Sequence, residues 1–289
     1  MRTRRQLAAV AILFGCTAGM LTACGDDDSD TTTGAPTTEA DAGTEAPEAD
    51  TTTEAAPGTD EGTGTEASST GGDDTEFCTA YADVSAAFEG PPDPETITPL
   101  LETLDAEAPE EIADPLGVMT DAIRTALDSG GEDSSPFEDP EFVEAQSEVD
   151  PYAFENCDYD AKIEVTATEY AFEGIPDEID AGTVAFLLTN EGNESHEIGL
   201  ARKKDDVTES FDELLEMDQE EAETKIDFAG GAFAASNGDQ GLAIADLEPG
   251  EYIAACFIPV GTSMEGDDMQ EGDGPPHFTQ GMKAEFTVS

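Results

Sequence analysis

Between Tyr81 and Tyr152 the apolar residues return every three or four positions, whereas from Ala161 to Ala167 they return at every second one. A helix needs the longer period to keep one stripe apolar and a pleated strand needs the shorter, so the chain changes structural class near residue 160. Upstream, helical spacing holds in three groups: Tyr81, Val84 and Phe88; Ile97, Leu100, Leu101 and Leu104; Ile112, Leu116, Met119, Ile123 and Leu127. Pro94, Pro109 and Pro140 stand where helices begin, since a first-turn proline gives up only an N–H that has no helical partner. With Phe142, Val149 and Tyr152 completing the pattern, four short helices are expected over 76–158. Downstream, Ile163, Val165 and Ala167 alternate with polar residues, as do Tyr170 and Phe172. Further strands are expected at 183–190, 196–201, 242–246, 250–257 and 282–289, with one inserted helix marked by Val207, Phe211, Leu214 and Leu215. Turn signals at Gly174, Ala181-Gly182 and Glu248-Pro249-Gly250 complete the pattern of a Greek-key β-sandwich over 161–289. The expected class is α+β and multidomain, a helical domain followed by a sandwich.

The N-terminus reads as an address. Arg2, Arg4 and Arg5 precede an apolar run from Leu7 to Met20, which is short for a membrane span but suits a secretion signal. The run ends in Leu21-Thr22-Ala23-Cys24, which resembles the bacterial lipobox. That resemblance implies a signal peptide over 1–23, lipid on the Cys24 thiol, and an extracytoplasmic protein anchored to the cell membrane through two acyl chains. Residues 24–75 follow as a tether. From Gly25 to Thr75 there are fifteen acids, no Lys or Arg and no aromatic residue. Such a stretch cannot bury enough apolar surface to offset chain entropy and is expected to be disordered.

The whole chain carries 69 Asp and Glu against 10 Lys and Arg, a formal charge of −59. Nucleic acid and anionic lipid surfaces would repel it, so neither is expected as a partner, whereas a protein partner should present basic residues. A monomer is expected. Arg202, Lys203 and Lys204 form the one basic cluster after the signal, and they serve either a partner or the neighbouring Asp205 and Asp206.

Of five cysteines, Cys16 leaves with the signal and Cys24 takes lipid. Cys78 and Cys157 bracket the helical pattern and are expected to pair, because thiols outside the cytoplasm usually do. Cys256 is then left over, and metal ligation would explain an odd cysteine in an exported protein.

His196, Cys256, His277 and Met282 all fall within the sandwich region, and they include both histidines of the chain. A thiolate, two neutral imidazoles and a thioether make up the ligand set of a blue-copper site. A hydrolase is a poorer reading. Ser195 adjoins His196, so on a strand the two side chains point opposite ways, and no oxyanion-hole motif accompanies Cys256 and His277.

Three segments carry a family resemblance. Asn190-Glu-Gly-Asn-Glu-Ser-His196 follows an apolar strand, Tyr252-Ile-Ala-Ala-Cys256-Phe-Ile-Pro259 ends a late one, and Pro276-His277-Phe-Thr-Gln-Gly-Met282 leads into the last. Their order resembles the cupredoxin family over 161–289. The resemblance implies one type 1 copper, with His196, Cys256 and His277 as equatorial ligands and Met282 as the axial one. It departs from small cupredoxins in the twenty residues, Phe257 to Pro276, that separate the cysteine from the second histidine. With four protein ligands and no spare histidine, one-electron transfer between membrane-bound partners is expected rather than catalysis. Docking is expected beside His277, at Pro275, Pro276 and Phe278. Copper holding or delivery, with Met264 and Met269 as soft ligands, and a metal-free interaction module remain as alternatives.

Overall fold

A computed structural model of the protein describes residues 75–289 except 89, 91, 131–134 and 267. The expected signal peptide, Cys24 and all of the expected tether but Thr75 lie outside the described residues.

Helices α1 (Thr75–Ala87), α2 (Pro94–Ala106), α3 (Ala113–Asp128) and α4 (Pro140–Asn156) occupy the region of helical spacing. Pro94 and Pro140 each open a helix, and the preceding Asp93 and Asp139 accept from the backbone N–H of Glu95 and Glu141. These caps satisfy donors that a helix start leaves without partners. Pro109 instead sits in a turn, and α3 starts four residues later. Cys78 and Cys157 form a disulfide that joins α1 to the end of α4.

The strands are β1 (Ala161–Thr168), β2 (Ala171–Glu173), β3 (Glu178–Ile179), β4 (Gly182–Asn190) and β5 (His196–Lys203). After them come two short helices, α5 (Phe211–Leu215) and α6 (Gln219–Ala222), then β6 (Ile226–Ala234), β7 (Gln240–Leu247) and β8 (Gly250–Ala255). A hairpin of β9 (Ser263–Glu265) and β10 (Asp268–Gln270) precedes the last strand, β11 (Lys283–Val288). One sheet has the order β2-β1-β4-β7 and the other β3-β11-β8-β5-β6. β1 runs parallel to β4, and β11 parallel to β3, which gives the Greek-key crossing between sheets. The sequence pattern missed β6, a strand rich in Gly and Ala that stays mostly half-buried at one edge.

β4 explains how the two halves meet. Val184, Phe186 and Leu188 face the other sheet, while the intervening Ala185 and Leu187 lie in the core of the helices together with Leu242 and Ile244 of β7. A strand buried on both faces needs a layer on each, and α1–α4 supply the second. One polar cluster crosses that boundary. Asp150 of α4, 2% exposed, accepts from the Tyr81 hydroxyl of α1, from Gln146 Nε2 at 3.1 Å and from the Leu242 N–H of β7 at 2.7 Å. Burial pushes its carboxyl up to about 6, against the pull of those donors. On the far side of the sandwich, Phe211 and Leu214 of α5 cover Ile253 and Ala255. Among the described residues, no helix is long and apolar enough to cross a membrane.

Candidate metal centre

The structure brings His196, Cys256 and His277 together at one end of the sandwich. His196 opens β5, Cys256 directly follows β8, and His277 opens a 3-10 turn ahead of β11. Nδ1 of His196 lies 3.3 Å from Nδ1 of His277, which lies 3.3 Å from Sγ of Cys256. All three ligand atoms fall within 4.8 Å of one another, and all three residues are fully buried. Met282 is fully buried too. Its carbonyl accepts from the Cys256 N–H at 3.2 Å, and its own N–H donates to the His277 carbonyl at 3.2 Å.

Local sequence builds each corner. The Asn190 side chain donates to the Glu194 carbonyl at 2.8 Å and to the Ala234 carbonyl at 3.1 Å, while its oxygen accepts from the Gly192 N–H at 2.8 Å. One buried amide thus shapes the turn that delivers His196. At the other corner Gly281, with φ +115°, takes a left-handed conformation that an L side chain resists and ends the turn just ahead of Met282.

The twenty-residue separation leaves the cluster undisturbed because the excursion closes at its root. Ile258 accepts from the His277 N–H at 2.9 Å, Pro259 bridges Pro276, and Val260 exchanges backbone bonds with Pro275 and Gly274 at 3.1 Å each. Only the segment beyond these stems forms the β9–β10 hairpin, where Met264 stands opposite Met269.

Two carboxylates stand behind the imidazoles. Glu194 Oε2 meets His277 Nε2 at 2.9 Å, and Glu169 Oε1 lies 3.6 Å from His196 Nε2. Neither was legible among 69 acidic residues with no pattern to distinguish them. The one signal was adjacency, since Glu194 precedes His196 by two residues. Gly192 makes room for this packing: a Cβ there would come within 2.6 Å of His196 Nε2 and collide with the Glu169 carboxylate. Gly192→Ala is therefore expected to displace the imidazole and weaken divalent-metal binding about tenfold or more, as measured by competitive titration with Zn(II).

Burial sets the protonation of the cluster. It pushes His196 down to about 4, reinforced by His277 and opposed by Glu169 and Glu194. It lowers His277 as well, against the pull of Glu194. The Cys256 thiol is driven well above its usual range, first by burial and then by the Glu197 carboxylate. Glu197, itself pushed up to about 7 by burial, accepts from the Phe257 N–H at 2.9 Å, and its own N–H points at Cys256 Sγ from 3.5 Å. Both imidazoles thus offer neutral lone pairs, and the thiol must release a proton to any ion that binds.

The donor set fits a single copper ion. The two Nδ1 atoms, 3.3 Å apart, are close enough for His196 and His277 to hold one ion together. With Nε2 of His277 donating to Glu194, its Nδ1 keeps a free lone pair toward the centre. Thiolate with imidazole is the donor chemistry of a type 1 site.

Around the cluster, Ser195 Oγ donates to the Ala235 carbonyl at 2.7 Å and faces no imidazole partner. Arg202, Lys203 and Lys204 pair with Asp205, Glu251 and Asp227 at 2.8, 2.7 and 3.4 Å. Phe257 is 45% exposed and packs edge-on against Phe278 with ring centroids 5.3 Å apart.

No family model matches the chain, and no curated protein matches it. Solved structures do. Auracyanin B is 20% identical with a TM-score of 0.30, covering 46% of this chain and 92% of that one. Auracyanin A, a "blue" copper protein from the green thermophilic photosynthetic bacterium Chloroflexus aurantiacus, is 15% identical with a TM-score of 0.28, covering 44% and 98%. Rusticyanin from Thiobacillus ferrooxidans is 16% identical with a TM-score of 0.27, covering 44% and 77%. By its two sheets, their strand order and its buried His-Cys-His group, the region from Ala161 to Ser289 is cupredoxin-like in fold.

Proposed function

We propose that the protein is an extracytoplasmic electron carrier that holds one copper ion on His196, Cys256 and His277, with Met282 as the axial ligand. The observation that carries this reading is the convergence of two imidazole Nδ1 atoms and a thiol sulfur inside a fully buried pocket. Copper bound there would supply a one-electron couple between its monovalent and divalent states. The protein's part is to present preformed donors, exclude water and hold the ligands still between the two states. Four protein ligands leave no position for a substrate, and the chain has no further histidines for a second centre. It is a carrier rather than a catalyst.

Lipid on Cys24 would tether the carrier to the membrane, with residues 24–75 as the leash. His277 is buried under Glu194, so the exposed Phe257, against Phe278, forms the docking face in this reading. Each of these aromatics directly follows a ligand residue. The partner would be a redox protein with basic residues around its own docking face. A second reading, copper holding or delivery, draws on Met264 and Met269, which face each other across the β9–β10 hairpin as two adjacent thioethers.

One equivalent of Cu(II) added to the purified protein should produce an intense thiolate-to-copper charge-transfer band in the visible range, and Cys256→Ser should abolish it. Tight Cu(I) binding without that band, lost when Met264 and Met269 are both replaced, would favour delivery. No copper binding in either oxidation state would overturn both readings.

A further inference from the structure

The Glu194 carboxylate holds three partners beside the centre. Its Oε2 meets His277 Nε2 at 2.9 Å and accepts from the Gly261 N–H at 2.7 Å, while Oε1 accepts from the Tyr170 hydroxyl at 3.1 Å. The Tyr170 ring in turn lies 4.8 Å from the His277 ring. One carboxylate therefore joins the β1–β2 corner, the turn before His196 and the root of the long loop over a single imidazole. Glu169 lies on the other side, 3.6 Å from His196 Nε2 and without a hydrogen bond to it. Its Oε1 accepts from the backbone N–H groups of Asn193 and of Glu194, the latter at 2.8 Å, and faces His196 Nε2. Carboxylates placed behind metal-binding imidazoles fix the ring's tautomer and orientation and raise its basicity.

Resting on the copper site proposed above, we infer that Glu194 is a positioning residue that turns Nδ1 of His277 inward and, with the charge of Glu169 beside it, biases the centre toward the divalent state of copper. The charge count gives the direction. A thiolate and two carboxylates bring three negative charges around the ion, so a divalent ion leaves one uncompensated and a monovalent ion leaves two. The imidazoles and the thiol are fully buried and the two carboxylates are 20% and 26% exposed, so water screens that difference only in part. The reduction potential is therefore lowered relative to the same ligands without the carboxylates.

Two variants separate charge from position. In Glu194→Gln the side-chain oxygen can still accept from His277 and Gly261, and its amide can donate to the Tyr170 hydroxyl, so the hydrogen bonds persist and only the charge is lost. In Glu194→Ala both are lost. Nitrogen-15 NMR of the imidazoles in the metal-free protein should show His277 protonated at Nε2 in the wild type and in Glu194→Gln. The same measurement should show a mixture of tautomers in Glu194→Ala. In the copper-loaded protein, Glu194→Gln should keep the charge-transfer band while the ratio of Cu(II) to Cu(I) affinity falls about tenfold, a rise of about 59 mV in potential. Zn(II) affinity should fall 10–100-fold in Glu194→Ala. An unchanged tautomer in Glu194→Ala, or an unchanged potential in Glu194→Gln, would overturn the assignment. If the wild type binds no copper, the proposed function and the divalent bias fall together, and the metal-free tautomers alone decide whether Glu194 holds His277.

Discussion

Replacing Cys78 and Cys157 with alanine, or reducing the bond between them, is expected to lower the unfolding free energy by about 4–5 kcal/mol. The two half-cystines are 79 residues apart, and closing a loop of that length removes much of the freedom of the unfolded chain. Cys157 is 1% exposed in the helical core, so loss of its sulfur adds a small packing cost in the folded state to that entropic one. Urea unfolding with and without a reductant measures the difference. The midpoint should move to lower urea in the double-alanine variant, where no thiol chemistry intervenes, with a steeper slope because the uncrosslinked unfolded chain exposes more surface. Because α1–α4 share their core with the outer face of β4 and β7, far-UV and near-UV signals should shift together. Separate transitions for the helical and strand signals would contradict that shared core.

Asp150→Ala is expected to cost a similar amount, about 3–5 kcal/mol, because it leaves the Leu242 N–H and the Tyr81 hydroxyl without their acceptor at a buried boundary and leaves Gln146 Nε2 only the Phe233 carbonyl at 3.4 Å. Asp150→Asn should behave in the opposite way at neutral pH. The amide oxygen can accept from Leu242 and Gln146 and the amide N–H can donate to the Tyr81 hydroxyl, while the buried charge disappears. The sign follows from the carboxyl, which is raised from 3.8 to about 6 on folding. Below about 4 both states hold the proton and nothing is lost. Between about 4 and about 6 the unfolded chain releases its proton while the folded one keeps it, so stability falls as pH rises, by about 3 kcal/mol in all, and stays lower above that window. Asp150→Asn should match the wild type near pH 4 and exceed it at pH 7. Comparing the two proteins at each pH cancels the contribution of the other carboxylates. Equal stability of the two at every pH would show that Asp150 is solvated enough to ionise freely.

Much of this architecture could be read from residue spacing. The change of period at Ala161 marks the passage from helix to strand, and proline marks the start of two of the four helices. The order of His196, Cys256 and His277 was legible because each sits at a strand end or the start of a turn, where backbone pairing fixes direction. What escaped was set by tertiary neighbours. β6 carries Ala229-Gly230-Gly231-Ala232 at its centre, too little apolar mass to show alternation, and is held by its pairing with β5. The unbroken apolar run Val184 to Leu188 hid a cover on both faces that only the packed helices make visible. Glu169 reaches the centre through bonds to residues about twenty-five positions away, a relation that no local pattern encodes.

The zipped stems at Ile258–Val260 and Gly274–His277 make the β9–β10 hairpin a cassette, while Gly261 and Thr262 stay tied to Glu194 and Ser195 beside the centre. The hairpin's length and sequence are free to drift, or to be exchanged by an engineer, while the ligands on either side stay in register. New specificity could therefore be acquired at the rim of this protein without re-evolving its His-Cys-His cluster.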